Sequence, residues 1–235
     1  MKYILTLLCA GLLLAADSAF RLHYPPAPKS NQVDDYHGVK IADPYRSLED
    51  ADALSTQKWV EDENVLTFSY LAKLPGRDAI RKQLSDLWNY ERFSDFYKAG
   101  DHYFYWRNTG LQNQPVVYVM DSLNGTPREL LDPNTYRKDG TTALNGEMAS
   151  WSGNLYGYAI AQAGSDWAEW HVRNVATAKD LSDLIRWTKG SIISWSSDDG
   201  GFYYSRYTEP SPEKLLTVAA RDEKVLPQGG RSAVS

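Results

Sequence analysis

The chain has 235 residues, 43% hydrophobic and 23% charged, with a net charge of −5. That is globular composition, long enough for one large domain or two small ones, and an acidic chain with scattered Lys and Arg has no electrostatic footprint for nucleic acid. Aromatic residues make up 13%, with 16 Tyr and 8 Trp, and these side chains favour strands.

In chain order, Lys2 and the apolar run over residues 3–16 read as a signal peptide. The run is too short to span a bilayer comfortably, and Ala16 and Ser18 are the small residues a cleavage site needs. The sequence therefore predicts removal of residues 1–18 and an exported protein, periplasmic or extracellular, with no membrane association after cleavage. Cys9, the one cysteine, lies in that segment. The mature chain would then have no disulfide, thiol nucleophile or Cys-based zinc site.

Residues 19–52 read as an extended, wrapping stretch, since Tyr24-Pro25-Pro26 and Asp43-Pro44 push the residues before proline out of helical conformation. A helix capped by Ser55 or Thr56 is predicted next, carrying Trp59, Val60, Leu66, Tyr70 and Leu71. Pro75-Gly76 breaks it. A second helix follows with an apolar stripe of Ile80, Leu84, Leu87 and Trp88. Residues 19–89 are thus an extended and two-helix segment.

From residue 90 the pattern changes to short strands. Tyr103-Phe104-Tyr105-Trp106, Val116-Val117-Tyr118-Val119, residues 155–160 and Phe202-Tyr203-Tyr204 alternate with Gly-, Asn- and Asp-rich turns. The strands repeat. Ser150-Trp151-Ser152 recurs as Ser194-Trp195-Ser196, 44 residues on; Tyr103 and Tyr156 stand 53 apart, and Tyr118-Val119 matches His171-Val172 at that same offset. Multi-strand units of this period are what propeller blades produce. Residues 90–225 hold two units and the start of a third, and residues 226–235 read as an irregular tail. The expected fold is mainly β, an incomplete β-propeller of about two to three blades after the two helices.

Chemistry-bearing motifs are scarce. No Gly-x-Ser-x-Gly nucleophile elbow occurs; the nearest fragment, Gly230-Arg231-Ser232-Ala233-Val234, lacks the second glycine. His23, His37, His102 and His171 have no metal-ligand spacing. Asp34-Asp35 and Asp198-Asp199-Gly200-Gly201 lack the spaced ligands of a calcium loop, and the second reads as a hairpin turn. The reading from residues alone is no catalytic residue, no metal site and no cofactor.

Several segments together carry a resemblance: Val33-Asp34-Asp35-Tyr36-His37-Gly38, Asp43-Pro44-Tyr45-Arg46-Ser47-Leu48-Glu49-Asp50, Asn108-Thr109-Gly110-Leu111-Gln112-Asn113-Gln114, Leu131-Asp132-Pro133-Asn134, Gly164-Ser165-Asp166-Trp167 and Gly201-Phe202-Tyr203-Tyr204. In this order they resemble the prolyl oligopeptidase family over residues 24–225, with Ser47 where the family usually has tryptophan. The resemblance implies a serine endopeptidase that cleaves short peptides after proline. It also implies a seven-bladed propeller and a discontinuous α/β-hydrolase domain on which residues 19–89 pack. This chain would supply the N-terminal segment and the first blades. The triad lies in the missing half, so the chain is expected to be inactive alone. A proline-containing peptide would be the substrate only of a complete enzyme, with a catalytic domain as partner.

Asp166 matches a family aspartate that reaches from the propeller toward the catalytic domain; its other reading is a blade-turn aspartate. Gly190 stands where some members place an aromatic that lines the substrate pocket. Two alternatives remain beside the truncated peptidase: an exported β-repeat binding module, or one half of a split peptidase.

Overall fold

A computed structural model describes residues 22–211 and 221–229. The predicted signal segment, Cys9 and the 230–234 fragment lie outside the described residues. The chain divides into two compact units, residues 1–82 and 83–235.

In the first unit, β1 (Val33–Tyr36) and β2 (Val39–Ala42) form an antiparallel hairpin. Its turn, His37-Gly38, has φ of 57° and 89°. Two successive positive φ values match the right-handed twist of paired strands. Asp35 helps to hold the turn, its carboxylate accepting the Gly38 N–H at 2.6 Å. Arg46, at the start of a 3-10 turn, gathers the two halves of the N-terminal signature: it pairs with Asp34 of β1, with Asp43 at 2.7 Å and with Glu49 at 3.4 Å. Helix α1 (Leu54–Ala72) begins before the expected caps, with Ala53 at the N-cap position and no side-chain cap. The Thr56 hydroxyl instead donates to the Ser47 carbonyl at 3.3 Å, so it is spent on the preceding turn. Helix α2 (Arg77–Trp88) carries the chain into the second unit, and its stripe of Ile80, Leu84, Leu87 and Trp88 is 58–64% exposed.

Among the described residues, the second unit holds the end of α2 and three antiparallel sheets. The first pairs both β3 (Arg92–Phe93) and β4 (Tyr97–Ala99) with β5 (His102–Asn108), followed by β6 (Val116–Met120) and β7 (Arg128–Leu131). The second runs in order β8 (Thr142–Ala149), β9 (Leu155–Gln162), β10 (Ala168–Asn174) and β11 (Lys179–Thr188). The third contains β12 (Ser194–Trp195), β13 (Gly201–Arg206) and β14 (Lys224–Gly229). Strand β14 pairs with all of β13, so residues 226–229 belong to the sheet and not to an irregular tail. Their alternation is weak because Pro227 sits in an edge strand, where a missing N–H is tolerated.

Both faces of the second sheet are covered. Tyr156, Tyr158 and Ile160 of β9 join Phe104, Val117, Val119 and Leu130 in one core. Leu155, Ala159 and Ala161 point the other way, toward Ile193, Trp195, Phe202 and Tyr204. Alternate residues serve opposite cores, which is why β9 reads as a continuous apolar run rather than an alternating one.

The 53-residue repeat is exact in register. Tyr103 pairs with Met120 as Tyr156 pairs with Arg173, and Tyr105 with Tyr118 as Tyr158 with His171. Even the ring stacking recurs, at 5.5 Å and 21° for Tyr105–Tyr118 and at 5.3 Å and 21° for Tyr158–His171. The Ser-Trp-Ser repeat is different. Ser150 is matched structurally by Ser196, not Ser194: their N–H groups donate to Leu155 and Gly201 carbonyls at 2.8 and 2.9 Å, and their hydroxyls accept the same residues' N–H at 3.2 and 3.0 Å. The structural offset is therefore 46 residues, and Trp151 lies exposed on a turn while Trp195 is buried in β12. Turn geometry sets the register here, and a recurring aromatic tripeptide does not.

A half-buried carboxyl lies where the first two sheets meet. Glu147 on β8 accepts the Tyr156 hydroxyl proton at 2.6 Å, beside Tyr97. Burial pushes the Glu147 carboxyl above its ordinary value, against the opposing effect of the Tyr156 bond. A raised native pKa means the folded state holds the proton more tightly than the unfolded chain does. The contribution is full below the ordinary pKa of 4.5 and is lost as pH rises through the native one. Glu147→Gln should remove this slope. In urea titrations between pH 4 and 8, the variant should gain stability over the wild type toward neutral pH; parallel curves would contradict the assignment.

Candidate functional site

The β9–β10 loop begins with a tight turn. Ala163 and Gly164 have φ of 51° and 74°, and the Ser165 N–H donates to the Gln162 carbonyl at 2.9 Å. The Ser165 hydroxyl accepts the Trp167 N–H at 3.1 Å, which sets the direction of the chain as it leaves the turn. Asp166 lies between these anchors, its side chain 73% exposed, and pairs with Lys189 Nζ at 2.9 Å. Lys189 also sits 5.7 Å from the centre of the Trp167 ring. The two stretches singled out in the sequence, around Asp166 and around Gly190, therefore meet in one loop cluster. A pair this exposed adds only about 0–1 kcal/mol to stability, so its placement matters more than its strength. Gly190 has φ of 62°, and a side chain there would meet open space.

Sequence reading missed the aromatic group beneath this loop. Trp167 packs edge-on against Trp187 at 5.7 Å and against Tyr207 at 5.8 Å. Trp187 lies at a register shift between β10 and β11 and has φ of 65°. A bulky residue in the left-handed region costs about 1–3 kcal/mol and persists only where its surroundings hold it. Here the Trp187 carbonyl accepts the Tyr207 N–H at 2.9 Å, and the next residue, Thr188, donates its hydroxyl to the Ala168 carbonyl at 2.7 Å. Beside the two indoles is a cavity of about 190 Å³, bordered by Ile160, Gln162, Glu169 and Arg186. Arg186 Nε donates to Glu169 at 3.0 Å. Nothing in the Arg-Trp-Thr sequence distinguishes Trp187 from an ordinary strand aromatic, because a bulge has no side-chain period.

His102, His171, Asp198 and Asp199 each have partners within the sheets and turns. His102 Nδ1 lies 2.9 Å from the Asp121 carboxylate. His171 stacks on Tyr158, and burial lowers its pKa. Asp198 holds its own turn through Ser196 and the Gly200 N–H. Asp199 reaches to the neighbouring sheet and accepts the Trp151 and Ser152 N–H groups at 2.9 and 3.0 Å. Among the described residues no three His, Cys, Asp or Glu side chains are grouped to hold a metal ion, and no helix is long and apolar enough to cross a membrane.

Successive antiparallel sheets packed face to face, with the β4–β5 turn against the β8–β9 turn and the β8–β9 turn against the β12–β13 turn, define a β-propeller type of protein. The family model described as prolyl oligopeptidase, N-terminal beta-propeller domain, matches residues 25–227. The chain belongs to the prolyl oligopeptidase family. It is 39% identical to a prolyl endopeptidase of Elizabethkingia meningoseptica over 229 residues, covering 96% of this chain and 32% of that protein. A prolyl endopeptidase of Dictyostelium discoideum is 32% identical, with 83% of this chain and 31% of the relative covered. Among solved structures, one from a study of two prolyl endopeptidases superposes with a TM-score of 0.75 at 30% identity, covering 88% of this chain and 31% of that one. Prolyl oligopeptidase B from Galerina marginata, bound to a 25-residue macrocyclization substrate, gives 0.69 at 26% identity over 88% of this chain and 32% of that one. The chain thus spans about a third of the length of the curated relatives it matches.

Proposed function

We propose that these residues form the docking and shielding part of an exported prolyl endopeptidase and do not hydrolyse peptides by themselves. The observation that carries this reading is the family match over residues 25–227, set against relatives about three times as long. Hydrolysis needs a serine whose proton passes to a held histidine, with donors ready for the oxyanion. The 235 residues contain no Gly-x-Ser-x-Gly elbow that would present such a serine. A catalytic α/β-hydrolase part supplies it. The exposed stripe of α2 is a surface suited to packing against that part, because four adjacent apolar side chains gain from leaving water. Asp166, paired with Lys189 on an exposed loop, is a second contact.

The test is a chromogenic peptide with an internal proline, incubated with the 235-residue chain alone and with a separately produced family catalytic part. No turnover by the chain and turnover by the mixture are expected, with Asp166→Ala lowering the mixture's activity several-fold. Turnover by the chain alone, blocked by a serine-directed inhibitor, would overturn the proposal.

A further inference from the structure

The geometry points to a peptide-binding site on this chain, a niche at Trp167 and Trp187 that takes one prolyl residue of an extended peptide. The choice of ligand rests on the proposed function; the niche itself does not. At about 190 Å³ it lies below the roughly 300–1,000 Å³ of pockets that enclose a whole ligand. It suits a single side chain. Trp167 and Trp187 meet at 80°, so their indoles form a corner with Ile160 on the cavity wall.

A pyrrolidine ring fits such a corner for three reasons. It is compact and already ordered, so little conformational freedom is lost on docking. Proline has no backbone N–H, so an apolar wall against its nitrogen leaves no donor unsatisfied. Extended proline-containing peptides dock in aromatic-lined grooves generally. The polar rim supplies the remaining contact. Arg186 uses Nε for Glu169, and its terminal N–H groups suit a peptide carbonyl. A cationic ligand is disfavoured, because Glu169 and Asp166 are already matched by Arg186 and Lys189.

The Trp187 backbone makes the test clean. Glycine accepts φ of 65° without strain, so Trp187→Gly removes one wall and relaxes the chain at once. Fluorescein-labelled Ala-Pro-Ala and Ala-Leu-Ala peptides would be titrated against the full chain by fluorescence polarisation. Trp187→Gly should weaken Ala-Pro-Ala binding at least tenfold while the far-ultraviolet circular dichroism spectrum stays that of the folded chain, and Arg186→Gln should weaken it several-fold. Equal binding of the two peptides, an affinity unmoved by Trp187→Gly, or no binding at all would overturn the inference. These outcomes are separate from the hydrolysis assay. Turnover by the mixture without a Trp187-dependent site leaves the family role standing, and Trp187-dependent binding without turnover leaves the niche standing.

Discussion

Gly100→Ala should cost about 3 kcal/mol or more in urea unfolding, because two penalties act at one atom. Gly100, in the β4–β5 turn, has φ of 56°, and a Cβ there would lie inside the Ser152 carbonyl of the neighbouring sheet. The approach is reciprocal: a Cβ on Gly153, with φ of 75°, would collide with the Ala99 carbonyl. Both obstacles are backbone, which cannot rotate away as a side-chain tip can. Gly164→Ala is the matched control. It has φ of 74° and open space around it, so only the conformational cost of roughly 1–2 kcal/mol applies. Equal losses for the two variants would show that the turns of the first two sheets are not in contact.

Arg173→Met should destabilise by about 2–4 kcal/mol, since it strips partners from several half-buried groups at once. Arg173 donates to Asp180 at 2.7 and 3.0 Å, to the Leu130 carbonyl of the first sheet at 2.8 Å and to the Tyr136 hydroxyl at 3.2 Å. The Tyr136 hydroxyl is in turn 2.7 Å from that of Tyr158. Burial works to raise the Asp180 carboxyl, and Arg173 outweighs it, leaving the group below its ordinary value. Methionine keeps the apolar stem and removes the fork. Arg137→Met is the comparison, because Arg137 and Asp139 form a local, solvent-screened surface pair two residues apart. A loss for Arg173→Met no larger than for Arg137→Met would refute a linking role between sheets.

The match of these sheets to the sequence shows which signals survive folding. Two strands that pair through the same face must carry the same alternation, so Tyr105–Tyr118 and Tyr158–His171 announce their equivalence 53 residues apart. The Ser-Trp-Ser motif misleads because its serines play different parts: Ser150 and Ser196 brace turns, while Ser194 begins a strand. Asp166 was legible through its motif and lies in an ion pair with Lys189, whereas Trp187 and Arg186 were not, since a bulge redirects side chains without altering composition.

Sequence alone determined the mainly β character, the two helices ahead of the sheets, the dominant repeat and the absence of a nucleophile elbow. Each of these depends on local order: strand alternation, helical spacing, turn residues or a contiguous motif. Tertiary structure decided the true register of the third sheet, the extension of β14 to Gly229, the glycine contacts between turns and the aromatic corner around Trp187. Those features join residues far apart in the chain, and their energies come from close packing and hydrogen bonds between separate sheets, which no local pattern encodes.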